Sequence, residues 1–285
     1  MADDLDPRLT PVRGDIAARH LEGRVTADRF VDGTPCSVGW SRAPLTKVPD
    51  AVASLETELL FGEDFTVYEQ ADGWSWGQAA GGDGYVGYVP SGALSAPVPA
   101  THVVRALSSP VYPESDLKSR ARDTLYMGSR VAVPEGEAVK GFVALETGGW
   151  IYARHLTEAG TVWGTPLDVA RCFLGAPYVW GGRTAAGIDC SGLVQIALTA
   201  AGMTCPRDTD MQANGLGRRL TPDKAPRKGD IVYFPGHVGF MVDADNLLHA
   251  NATHMAVTID PLAIVIDIVR EETDKPPLTC IIRLD

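Results

Sequence analysis

The chain has no CxxC pair, and its five cysteines, Cys36, Cys172, Cys190, Cys205 and Cys280, are odd in number. Such spacing signals neither a complete disulfide framework nor a thiolate metal site, so no metal and no cofactor is expected. Thiols left free point to a reducing compartment. There is no run of about 18 apolar residues, and hence no segment that reads as a membrane-spanning helix. The opening MADDLDPRLTPV is acidic and polar where a secretory signal needs basic residues and then an apolar stretch, which makes the cytoplasm the expected location. Lys and Arg number 25 against 36 Asp and Glu, a net charge of -11. With no basic cluster to neutralise phosphates, a nucleic-acid surface is excluded, and small or cationic peptides are better partners.

What is present is enough for two or three compact units, because 285 residues at 45% apolar composition can bury real cores. Residues 1–50 are broken by Pro and Gly and carry one short helical-looking piece around Asp15 to Leu21, with an apolar patch near Val38. From Leu55 to Leu94, ETELLFGEDFTVYEQADGWSWGQ and GGDGYVGYV give short alternating runs bounded by DG and GG turns, the pattern of a small antiparallel barrel. DTLYMGSRVAVPE, KGFVAL and GGWIYARHL repeat that order of turn, strand, glycine turn and aromatic strand, which indicates an internal duplication. After a connector near Thr161 to Thr165, DVARCFLGAPYVWGG reads as a helix ending at Gly175 and Pro177, and SGLVQIALTAAG as a helix stopping at Gly202. DIVYF, HVGFMVD, LLHAN and MAVTID then read as an antiparallel meander. Helices first and a sheet afterwards describe an α+β domain. The expected boundaries are 1–96, 97–160 and 161–285.

Cys190 stands in GIDCSGLVQ, where Asp189 can cap the helix and the thiol falls in its first turn near unpaired N–H groups and the positive dipole end. That position is expected to lower the thiol pKa and to suit a nucleophile; the competing reading is a buried structural cysteine. His237 opens HVGFMVD and His249 lies inside LLHAN, with DADN as the turn between them. Any register that pairs odd with odd residues puts both imidazoles on one face, and a slip of one residue separates them. On that face His237 can take the proton of Cys190 while His249 orients it, the arrangement of an acyl-transfer enzyme. His20, His102, His155 and His254 are not needed for this chemistry, and the other cysteines read as buried thiols.

PYVWGGRTAAGIDCSGLV, KGDIVYFPGHVGFMVD and LLHAN, in that order, resemble the sequence blocks of the NlpC-type peptidases, papain-fold cysteine enzymes of bacterial cell-wall metabolism. The resemblance covers about residues 165–285, and the two upstream repeats resemble bacterial SH3-like domains. It implies an α+β papain-like catalytic domain preceded by two small all-β barrels, with the cleft where the first barrel meets the catalytic unit. Cys190 matches the nucleophile, His237 the base, His249 the third polar residue, and Tyr178 the tyrosine that helps hold the oxyanion with the Cys190 N–H. A packed ring with a satisfied hydroxyl is the other reading of Tyr178.

PRDTDMQ resembles a substrate-side loop of the family members that cut after γ-D-glutamate in wall peptides with a free N-terminal L-alanine. The resemblance implies that Asp208, with Thr209 beside it, meets the substrate ammonium, aided by Glu63 and Tyr85 of the first barrel. Glu63 can instead merely top a solvated turn. Asp189 and Ser191 flank the nucleophile and either touch substrate or serve only as cap and first-turn hydroxyl. The implied reaction is hydrolysis of the γ-D-glutamyl bond to diaminopimelate or lysine, in recycling of wall fragments. An amidase or acyltransferase on the same scaffold, or a non-catalytic wall-peptide-binding module, are the alternatives. Oligomeric state leaves no mark in the sequence.

Overall fold

Asp72 and Gly73 take φ of 51° and 82°, the paired left-handed conformation of a tight hairpin, and they join strands Asp64–Ala71 and Trp74–Ala79 as the DG signal implies. The computed structural model describes residues 5–80 and 84–284; the GG turn expected at Gly81 and Gly82 lies outside them. The chain divides into two compact units, Met1–Ala159 and Gly160–Asp285.

In the first unit, seven strands form one antiparallel sheet, in the spatial order Leu55–Leu60, Arg42–Thr46, Val86–Pro90, Trp74–Ala79, Asp64–Ala71, Thr34–Val38 and Leu94–Ser95. Val38, Leu45, Leu59, Phe65, Tyr85 and Val89 fill its interior. The barrel therefore begins upstream of Leu55, at the apolar patch around Val38. The helical piece expected at Asp15 to Leu21 is a strand, Ala17–Ala18, followed by a single 3-10 turn, Arg19–Leu21. Ile16, Ala17 and Ala18 are all fully buried in succession, which suits an enclosed strand and leaves no helical stripe.

The second repeat folds as three short sheets around its own core of Val104, Val111, Leu125, Val131, Leu145, Ile151 and Leu156. Corresponding devices recur in both repeats. Gly62 of LLFGE and Gly128 of LYMGS take φ of 75° and 92°, and one 3-10 turn, Ser91–Ala93 or Ala153–His155, precedes the closing strand.

The second unit opens with helix α1, Pro166–Cys172, started by Pro166 and capped by the Thr165 side chain, which accepts from the Asp168 N–H. Helix α2, Cys190–Ala200, is buried on nearly every side and packs on strands His237–Met241 and Asn246–Asn251. Helix α3, Thr209–Gly215, follows. A six-stranded sheet completes the unit in the order Arg218–Leu220, Cys280–Arg283, Ile231–Phe234, His237–Met241, Asn246–Asn251 and Ala256–Pro261. Four of these strands are the expected meander, and the fold class is the expected α+β one. Pro235 and Gly236, with Gly236 at φ 74°, turn the chain so that Phe234 pairs with His237. Asp230 receives two bonds from Arg283, at 2.8 and 2.6 Å, and ties the last strand to the start of DIVYF.

Helix α4, Leu262–Glu272, lies between the last two strands in sequence. LAIVIDIVREE is rich in β-branched residues and carries no helical expectation, yet its buried Val265 and Val269 stand four apart. Leu262 and Ile266 pack on the same core. A four-residue spacing buried against the sheet outweighs weak intrinsic propensity.

Candidate active site

Asp189 precedes α2 in extended backbone, and its carboxylate accepts from the Gly192 N–H at 2.7 Å and the Gly181 N–H at 2.8 Å. One carboxylate thus fixes both the glycine-rich loop and the helix start. Gly192 is required there, because a Cβ would come within 2.5 Å of the Gly182 carbonyl oxygen. Cys190 is therefore the first residue of α2, 6% exposed, with its sulfur accepting from the N–H groups of Ser191 and Val238. Val238 is the chain neighbour of His237.

Phe240 pairs with Leu248 and Met241 with Leu247, so odd residues of one strand oppose odd residues of the other. His237 and His249 consequently share a face, with His237 Nε2 and His249 Nδ1 2.7 Å apart. His249 Nε2 lies 2.9 Å from Asp260 Oδ2, and the Thr258 hydroxyl donates to that same oxygen at 2.6 Å. The N–H of Val238, the residue after His237, bears on the Cys190 thiol, and Tyr178 is close enough for its ionisation to feel that thiol. A cleft of about 690 Å³ is lined by Tyr178, His237, His249, Asn251, Asp260 and Ile264 among others.

The electrostatics reverse one expectation. Burial pushes the Cys190 thiol up to about 12, and the adjoining Asp189 carboxylate adds to the rise while Arg207 opposes it. Desolvation thus outweighs the helix-start position that was expected to lower it. Burial, and next the neighbouring His249, drive His237 down to about 3. Burial likewise lowers His249, against the pull of Asp260. Tyr178 is pushed up to about 12 by burial and by Cys190 beside it, so its hydroxyl keeps its proton and can donate. The resting pair is a neutral thiol and a neutral imidazole.

Asp189 and Ser191, expected to flank or touch substrate, are held by a residue the sequence does not single out. Arg207, 1% exposed, donates to Asp189 Oδ1 and Oδ2 at 2.9 and 2.6 Å and to the Ser191 hydroxyl at 2.8 Å. Asp189 is thus a cap and ion-pair partner, and Ser191 a buried acceptor. Asp208 is the N-cap residue of α3 without a side-chain cap bond, and Thr209 opens that helix; both are half-buried. In the first unit, Glu63 Oε2 accepts from the Leu60 N–H at 2.8 Å across its own turn, the local role set beside the substrate one above. Tyr85 belongs to that barrel's apolar core. Asp260 is the further site residue that sequence reading misses. Its signal is the alternation of Thr258 and Asp260 along MAVTID, which the pairing of His249 with Thr258 places beside the histidine.

A thiol at the head of a buried helix, with paired imidazoles on the adjoining sheet, defines a papain-like peptidase unit. Residues 175–267 match the model of the NlpC/P60 family, and residues 45–94 that of the bacterial dipeptidyl-peptidase Sh3 domain. The chain carries an NlpC/P60 domain with a bacterial dipeptidyl-peptidase SH3 domain upstream. It is 26% identical over 242 residues to Dipeptidyl-peptidase 6 of Lysinibacillus sphaericus, covering 77% of this chain and 89% of that one. It is 25% identical over 242 residues to the Gamma-D-glutamyl-L-lysine dipeptidyl-peptidase of Bacillus cereus, covering 73% of this chain and 71% of the relative. The crystal structure of an NlpC/P60 family protein from Bacillus cereus superposes with a TM-score of 0.71 at 19% identity, covering 88% of this chain and 99% of that one, a likeness of fold.

Proposed function

We propose that this protein is a cysteine peptidase that hydrolyses the bond between γ-D-glutamate and diaminopimelate or lysine in cell-wall peptides with a free N-terminal L-alanine. The observation that carries the reading is the relay from Asp260 through His249 to His237, ending beside Val238, whose N–H meets the Cys190 sulfur. The names of the relatives, which include Gamma-D-glutamyl-L-lysine dipeptidyl-peptidase, support the bond. The five free thiols accord with a role in recycling imported wall fragments in the cytoplasm.

In this reaction the Cys190 sulfur attacks the γ-glutamyl carbonyl as its proton passes to His237, so no buried thiolate has to persist beforehand. The Tyr178 hydroxyl and the Cys190 N–H receive the oxyanion. His237 then gives its proton to the leaving amine of the diamino acid. Water, deprotonated by the same imidazole, releases the acyl group and restores the thiol. Asp208 at the start of α3 is the group proposed to meet the substrate ammonium, with Thr209 next to it; an aligned carboxylate favours a free amine over a blocked one.

The test is cleavage of L-Ala-γ-D-Glu-meso-diaminopimelate beside its N-acetylated form. Cleavage of the free peptide alone is expected. Equal cleavage of both removes Asp208 from the reading, and cleavage of neither sinks the bond assignment.

A further inference from the structure

Two neutral imidazoles in series have two internally consistent proton arrangements, and only one leaves the base with a lone pair turned to the thiol. We infer that Asp260 is a positioning residue that selects this arrangement, setting the tautomer of His249 and, through it, that of His237.

Thr258 holds the Asp260 carboxylate in place. Its hydroxyl oxygen accepts from Asn251 Nδ2 at 2.8 Å, which directs its own hydrogen to Asp260 Oδ2 at 2.6 Å. That carboxylate oxygen also faces His249 Nε2 at 2.9 Å. Were Nε2 bare, a lone pair would oppose an anionic oxygen at hydrogen-bond distance, so the His249 proton sits on Nε2. A neutral His249 is then an acceptor at Nδ1. His237 Nε2, 2.7 Å away, must be the donor, and its Nδ1 is left bare as the proton acceptor for Cys190. The reverse arrangement places a hydrogen on His237 Nδ1 and blocks it as a base. The same order serves the charged intermediate, because an imidazolium at His237 donates into a chain that ends on a carboxylate.

The groups that face Asp260 are few. His249 and Thr258 meet Oδ2, and His254, about half exposed, approaches Oδ1 at 3.3 Å. Glu272 and Lys275 line the same cleft from the end of α4 and the segment after it. Hydrogen bonds from Thr258 and His249 hold the Asp260 carboxyl below the ordinary carboxylate range, against burial, which keeps it an acceptor at neutral pH.

The experiment reads protons directly and uses the whole chain with histidine labelled at both ring nitrogens by nitrogen-15. At pH 7.5 the ring nitrogen shifts distinguish N–H from bare nitrogen in each imidazole. Wild-type protein is expected to carry the proton on Nε2 in both His237 and His249. Asp260→Leu, which removes the acceptor facing His249, is expected to populate Nδ1–H forms in both rings, whereas Thr258→Val, which keeps the carboxylate, is expected to leave them as they are. On the peptide substrate, Asp260→Leu is expected to lower kcat about 10- to 100-fold with KM within about twofold, as loss of an orienting partner does at other sites. A wild-type spectrum with the His249 proton on Nδ1, or unchanged tautomers in Asp260→Leu, overturns the inference. The wild-type spectrum decides even if the variant does not fold. The kinetic arm rests on the peptidase reading and the spectral arm does not, so failure of one is separable from failure of the other.

Discussion

Arg207 grips Asp189 through two parallel hydrogen bonds of 2.9 and 2.6 Å, with both side chains almost wholly buried. Because the same carboxylate holds Gly181 and the first turn of α2, this pair positions the nucleophile without needing to touch substrate. Arg207→Met removes one partner and leaves a buried, uncompensated carboxylate. The expected cost is about 3–5 kcal/mol of stability, read from the denaturant midpoint. A loss under about 1 kcal/mol would show that the pair does not hold the site together.

Cys190 is the only atom source for covalent attack in the proposed chemistry. Cys190→Ala is expected to lower kcat by at least about 10⁴-fold while leaving peptide binding measurable by calorimetry, as loss of a nucleophile does in comparable enzymes. Undiminished turnover would take the thiol out of the mechanism.

The pH profile follows from His237. Its imidazole acts as a base when neutral, and burial has lowered its pKa from 6.5 to about 3. The acid limb of kcat/KM is therefore expected below pH 6.5, and an inflection at or above 6.5 would contradict the burial argument. Stability carries the same sign. A histidine with a depressed folded pKa binds its proton more readily when unfolded, so its contribution is complete above 6.5 and is lost as pH falls from there toward about 3.

Much of the catalytic unit is legible in sequence because its signals are local. Asp189 before Cys190 marks a helix start, Pro235 and Gly236 mark a hairpin, and the shared parity of 237 and 249 puts two rings on one face once the register is known. What escapes notice depends on contacts between segments. Arg207 reads as an ordinary loop residue until the fold carries it 18 positions back onto Asp189. Helix α4 hides in a run of Ile and Val because its burial, not its propensity, makes it a helix. The thiol's raised pKa escapes the sequence for a related reason: a helix start is visible in GIDCSG, but the strand that carries Val238 onto the sulfur lies some 50 positions away.

Gly239 offers a test of the relay that leaves every titratable group in place. It lies in strand His237–Met241, and a Cβ built there would stand 2.9 Å from His249 Cβ and 2.8 Å from the Leu248 carbonyl oxygen. Both are closer than packed atoms tolerate, and the backbone oxygen cannot swing aside, so Gly239→Ala has to move the strand that carries His249. A shift of a few tenths of an ångström away from Gly239 lengthens the contact of His249 with His237. The expected result is about a tenfold fall in kcat with little change in KM, and a loss of about 1–3 kcal/mol of stability from overpacking. Wild-type kcat at reduced stability would mean that the position of His249 matters to the fold alone, and that His237 works as a base without it.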